Sequence, residues 1–184
     1  MALHVSGRGI SKGAHSLVSA WLRHPEWPRL VAIIDEPDKR LEGLDFRGQD
    51  NLVVHSQVTD EDLEQLRLAA GWVIAPSQAE GFGHVIFEGL AAGSCVVSTD
   101  APPMNELVQR DRGFLLSWER SEPMRYGKRF FFNVDVMERE LVEILATPVE
   151  EIHRRARAGR EWALAHDRAF KSRFTALLES TLGR

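Results

Sequence analysis

A chain of 184 residues is long enough for one well-buried α/β domain and short for two. Its net charge of −4, with acidic and basic residues interspersed, argues against nucleic-acid binding, which wants a strongly basic face. One cysteine, Cys95, rules out a disulfide framework and a cysteine metal cluster, and its apolar surroundings read as a small core residue. The first 20 residues hold Arg8, Lys12 and three glycines without a sustained apolar stretch, which fits neither a signal peptide nor a membrane span. The expected location is cytoplasmic, with membrane association only as part of a larger enzyme.

Short apolar runs recur along the chain and predict strands at Leu3–Ser6, Leu30–Ile34, Leu52–Val54, Trp72–Ala75, Cys95–Ser98 and Phe114–Leu116. They lack polar alternation, as strands buried on both faces of a parallel sheet do. Helices are expected at 14–23, 60–70, 84–92, 103–109 and 135–146, followed by closing helices over 149–181. Thr59-Asp60-Glu61-Asp62 starts the second with a cap and first-turn acids. The segment Asp35–Asn51, rich in Pro, Gly and charge, reads as a mobile excursion without chemistry. Strand and helix in alternation predict a doubly wound, Rossmann-like parallel sheet, whose ligands bind at the carboxyl ends of the strands.

The richest segment for chemistry is Pro76-Ser77-Gln78-Ala79-Glu80-Gly81-Phe82-Gly83-His84-Val85-Ile86-Phe87-Glu88. It runs from a strand through a glycine-bearing loop into a helix. A helix start reached through Gly81 and Gly83 offers unpaired N–H groups and a positive dipole end to an anion, with no Cβ in the way. A phosphate fits that description. Glu88 is the only formally charged residue between Gly81 and Val97, and its carboxylate needs a partner such as the vicinal diol of a ribose. Glu80 precedes the turn and would accept hydrogen bonds from a sugar beyond the phosphates. The plainer alternative is an ordinary i,i+4 pair of His84 with Glu88 and a solvated Glu80.

These residues resemble the E-x7-E motif of retaining glycosyltransferases of the GT-B fold, the group 1 or family 4 type. The match extends to Gly93-Ser94-Cys95-Val96-Val97-Ser98-Thr99, Asn105-Glu106-Leu107-Val108 and Gly113-Phe114-Leu115-Leu116, in the family's order. At the other end, Gly7-Arg8-Gly9-Ile10-Ser11-Lys12-Gly13 is similar to the family's loop after the first strand, in which an arginine and a lysine hold the donor diphosphate. Carried over, those are Arg8 and Lys12. Two cations on such a loop would neutralise a departing diphosphate.

The resemblance implies that residues 1–184 are the C-terminal, donor-binding half of a GT-B enzyme, with the acceptor-binding N-terminal domain as a partner outside this chain. It implies transfer of a sugar from a nucleotide diphosphate-sugar with retention of configuration, without a metal or other cofactor. Arg8, Lys12 and Glu80 would serve the reacting end. Gly81, Phe82, Gly83, His84 and Glu88 would hold the nucleotide, with Gln57 and Val58 reading the base through backbone and packing. For His84 the backbone N–H is the group of interest rather than the ring. The acceptor it implies is a glycan, a lipid-linked glycan or a small molecule. One departure stands out: Asp100-Ala101-Pro102-Pro103-Met104-Asn105-Glu106 replaces the Gly-Gly turn of many members, and its prolines remove two N–H donors. The competing readings are a binding module that turns nothing over and, more distantly, a nucleotide-sugar epimerase.

The basic and aromatic stretch from Arg120 to Phe132 has two readings: a contact for an anionic acceptor or lipid headgroup, or a loop that tucks its aromatics onto the sheet. The second is the commoner arrangement.

Overall fold

The computed structural model describes residues 1–7 and 9–182. Six strands, β1 (Ala2–Gly7), β2 (Leu30–Ile34), β3 (Leu52–His55), β4 (Trp72–Ala75), β5 (Cys95–Thr99) and β6 (Phe114–Leu116), form one sheet in the order β3-β2-β1-β4-β5-β6. Every pairing within it is parallel. Such a sheet needs cover on both faces, and the apolar runs supply it: β2, β4 and β5 are buried from end to end.

Successive side chains divide between two layers. Ala2, Ala32, Ile34, Ile74, Cys95 and Val97 pack with Leu17 and Trp21 of α1 (Ala14–Trp21) on one face. Met137 and Leu141 of α6 (Val134–Leu145) join that layer. On the other face Leu3, Val31, Ile33, Val73 and Val96 meet Ile86 and Leu90 of α4 (His84–Ala92) and Met104 of α5 (Met104–Leu107). Cys95 is fully buried in this framework, and burial pushes its thiol up to about 12, so it serves as a small core side chain.

The cap predicted at Thr59 is present, and Asn133 provides a second that the sequence reading did not single out. The Thr59 hydroxyl accepts from Asp62 N–H at 3.1 Å at the start of α3 (Asp60–Ala69), and Asn133 accepts from the Asp135 N–H at the start of α6.

Three expectations are corrected. Asp35–Asn51 is no loose excursion: it contains the short helix α2 (Pro37–Arg40), and Leu41 and Phe46 enter the core as its anchors. The closing region is one continuous helix, α7 (Val149–Leu182), rather than several, because Val149 to Leu182 contains no proline and only one glycine, Gly159, which packs under Leu90 and the Arg112 backbone. Arg120–Phe132 is neither a free loop nor part of the main sheet, but a two-stranded hairpin of β7 (Arg120–Met124) and β8 (Gly127–Phe131).

One core group carries a measurable consequence. His4 on β1 is fully buried, and its Nδ1–H donates to the Ile74 carbonyl at 2.8 Å. Burial, with a smaller push from the Lys12 charge, lowers its pKa from 6.5 to about 4 against the opposing effect of that hydrogen bond. The folded protein therefore keeps His4 neutral where the unfolded chain would protonate it, so stability falls as pH drops from 6.5 toward 4. Between pH 7 and pH 5 the expected loss from this residue is about 2 kcal/mol. Urea denaturation at the two pH values measures it. In a His4→Leu variant this loss should be absent; His24, whose pKa Glu26 and Glu138 raise, adds stability as pH falls in both proteins alike, and the lowered pKa values of Glu26, Glu138 and Glu151 act below the window.

Candidate functional site

With β3-β2-β1 on one side and β4-β5-β6 on the other, the strand order reverses between β1 and β4. In a doubly wound sheet the crevice at the carboxyl ends of those two strands is where a ligand binds. The loops that meet there are Gly7–Gly13 and Pro76–Gly83, the two that carry the chemistry in the sequence.

They are joined directly. The Gln78 N–H donates to the Ser11 carbonyl at 2.7 Å, and Lys12 Nζ forms an ion pair with Glu80 Oε1. Ser77 Oγ donates to the same oxygen at 2.6 Å. Among the described residues both contacts fall on Oε1. The Lys12 ammonium has three donors, of which Glu80 uses one. The Glu80 side chain is only 6% exposed and that of Lys12 22%, so the pair is largely desolvated and each member holds the other in place.

Backbone geometry makes this approach possible. Gly13 enters α1 with φ 70°, and a Cβ there would collide with the Pro76 carbonyl oxygen. Gly83 stands at the start of α4 with φ 82°, and no side chain caps that helix. The first N–H groups of α4 are thus presented to a ligand rather than to a capping side chain.

Lys12, Glu80 and Gly81 line one cleft of about 520 Å³ together with Gly9, Pro102, Pro103, Tyr126 and Lys128. The prolines of the departing Asp100–Glu106 turn therefore form part of its wall. Glu106 itself lies exposed on α5, and its carbonyl accepts from Arg112 at 3.3 Å.

The remaining predicted residues are placed as follows. Arg8 lies outside the described residues. His84 is the first residue of α4, with its ring 4.8 Å from that of Phe82, which is half-exposed and also flanks Phe87. Gln57 is exposed after β3, while Val58 packs against the core. Glu88 does not line the Lys12–Glu80 cleft. It faces a second cleft between α3 and α4, also about 520 Å³, with Asp60, Leu63 and Arg67.

Glu88 has a partner inside the chain, Arg67, whose Nη2 lies 2.5 Å from Oε2. The approach is a close ion pair without hydrogen-bond alignment, so Oε2 is left short of a directed donor. Sequence reasoning missed Arg67, although it is the only basic residue on α3. It missed Ser77 as well, which stands three positions before Glu80, the spacing of a local side-chain bond.

The model of the family described as "Glycosyl transferases group 1" matches residues 2–123, more than half of the chain. The chain belongs to the group 1 glycosyltransferases. Solved structures agree in fold. The C-terminal domain of a group 1 glycosyl transferase from Francisella tularensis superposes with a TM-score of 0.66 at 17% identity, over 89% of this chain and 84% of that one. Sucrose-phosphate synthase from Thermosynechococcus elongatus gives 0.66 at 23% identity over 95% of this chain and 46% of its own. Anabaena HepE, solved in complex with UDP and glucose, gives 0.65 at 19% identity over 95% and 48%. The chain thus spans about half the length of the latter two. Among curated proteins none matches it in sequence.

The group 1 domain is therefore a Rossmann-like unit of GT-B type, as its motifs imply. No helix among the described residues is long and apolar enough to cross a membrane.

Proposed function

We propose that this domain binds a nucleotide diphosphate-sugar in the Lys12–Glu80 cleft and serves as the donor half of a retaining glycosyltransferase. The observation that carries the reading is the Lys12–Glu80 pair, held by Ser77 beside the uncapped start of α4. In a departing nucleoside diphosphate, negative charge grows on the phosphate oxygen released from the sugar. Lys12 and the N–H groups at His84 are preorganised to offset it, and Arg8 of the same loop adds a second positive charge, with no metal or other cofactor required. Glu80 Oε2 accepts from a hydroxyl of the donor sugar and fixes its orientation. Glu88 accepts from the ribose diol once Arg67 swings aside, while Gln57 and Val58 border the base.

The acceptor, a glycan, lipid-linked glycan or small molecule, is brought by a second domain. Beyond its packed first half, α7 leaves Phe170, Phe174, Leu177 and Leu178 exposed at helical spacing. Such a stripe fits an acceptor-binding domain as its cover, in keeping with the doubled length of sucrose-phosphate synthase and HepE. Donor binding without turnover is the expected behaviour of the chain alone.

Calorimetric titration of UDP, GDP and ADP and of their glucose conjugates tests the reading. One of the three series should bind, and Glu88→Ala should weaken it about tenfold, the cost of a lost charge-assisted pair of hydrogen bonds. Absence of binding by all three at millimolar concentration would sink the assignment.

A further inference from the structure

We propose that Lys128, on the hairpin β7–β8, is an additional cation for the donor diphosphate, facing Lys12 across the cleft; the proposal rests on the donor-site reading above. The hairpin is fixed to the site by its own base. The Phe130 N–H donates to the Gln78 carbonyl at 2.8 Å, and Arg129 reaches Gln78 Oε1 through Nε and Nη2 at 2.9 and 2.6 Å. Gln78 in turn is bonded to Ser11, so the hairpin, the β1–α1 loop and the β4–α4 loop are one connected assembly.

Strand alternation sets the direction of Lys128. Residues two apart on a strand share a face, and Phe130 is buried against the core with its ring 5.1 Å from Trp118. Lys128 lies on that same inward face and lines the cleft beside Lys12, Glu80 and Gly81. Arg125, at the turn, does not line it and instead stands over the Tyr126 ring at 5.1 Å.

Charge balance supplies the reason for a further cation. The positive charge of Lys12 is already matched by Glu80, so among the described cleft-lining residues that pair offers a diphosphate no net charge. Among the described residues Lys128 is the cleft-lining cation with no ion pair, and it is free to turn toward the ligand. The family match ends at residue 123, within β7, so β8 and Lys128 lie beyond the part shared with the family model.

The test compares Lys128→Gln, Lys128→Arg and Arg125→Gln with the wild-type chain by calorimetry, using UDP, GDP and ADP and the matching monophosphates. Lys128 is exposed, so all variants should keep the wild-type melting temperature. For whichever diphosphate the wild type binds, Lys128→Gln should weaken affinity about tenfold, as loss of one charge-assisted contact does. Lys128→Arg should restore it to within about twofold, since charge and donors return. Arg125→Gln and every monophosphate titration should change by less than about twofold, because general surface charge contributes little. Unchanged diphosphate affinity in Lys128→Gln would overturn the proposal while leaving the donor site intact. Equal weakening of mono- and diphosphate, or an equal effect of Arg125→Gln, would also overturn it, since neither reports a contact at the second phosphate. If the wild type binds none of the three diphosphates, the donor-site reading fails first, and the role of Lys128 with it.

Discussion

Replacing Gly13 by alanine should abolish donor binding and cost about 3 kcal/mol of folding stability, read as a fall of about 10 °C in melting temperature. Two costs combine. An L-residue at φ 70° is in the left-handed region, at roughly 1–2 kcal/mol. The new Cβ also overlaps the Pro76 carbonyl oxygen, which is backbone and cannot rotate away. Relief requires the two loops to part, and that separates Ser11 from Gln78 and Lys12 from Glu80. Gly81→Ala is the control: a Cβ there meets nothing within 4 Å, so stability should stay within about 0.5 kcal/mol. Equal effects of the two substitutions would show that the loop contact matters less than its geometry implies.

Lys12→Met should remove donor binding, lowering affinity at least a hundredfold, and also destabilise the free domain by about 2 kcal/mol. The second effect arises because Glu80 stays behind, 6% exposed, with the Ser77 hydroxyl as its remaining support among the described residues. The cost falls below that of breaking a fully buried pair because Lys12 is partly exposed. A double variant, Lys12→Met with Glu80→Gln, separates structure from function. It carries no uncompensated charge, so most of the lost stability should return while donor affinity does not. Chemical denaturation and calorimetry on the same four proteins complete the cycle. Recovery of binding in the double variant would mean that Lys12 acts only by neutralising Glu80.

Much of this domain is legible in its sequence for a simple reason. A strand buried on both faces must be apolar throughout, so Leu30–Ile34 and Trp72–Ala75 announce their bounds without any knowledge of their neighbours. Once those strands alternate with helices, the rule that ligands bind at strand carboxyl ends brings Lys12 and Glu80 into one site across 68 residues. The hairpin was hidden because its local signals conflict: β7 contains Pro123 and three charge-bearing or polar neighbours, and its turn, Arg125-Tyr126, lacks the glycine or asparagine pair of a tight hairpin. It is held by Gln78, 51 positions away from Arg129, and no local pattern reports that bond. The Arg67–Glu88 pair was hidden for the same reason, since it depends on how α3 packs beside α4. Asp35–Asn51 misled because its polar composition outweighs the few apolar anchors, Leu41, Leu44 and Phe46, that tie it to the core.

The site is accordingly less a pair of catalytic carboxylates than a set of positioned charges. Glu80 holds Lys12 in place, and Glu88 belongs to a neighbouring cleft with its own cation.

The most direct test of this account is to follow backbone amide resonances of the isotopically labelled chain while UDP, GDP or ADP is added. For the diphosphate that binds, the largest shifts should fall on Gly81, Gly83, His84 and Val85 and on the Gly9–Gly13 loop, saturating together with one affinity. Shifts that cluster elsewhere, or none with any of the three at millimolar concentration, would contradict a diphosphate site at the start of α4.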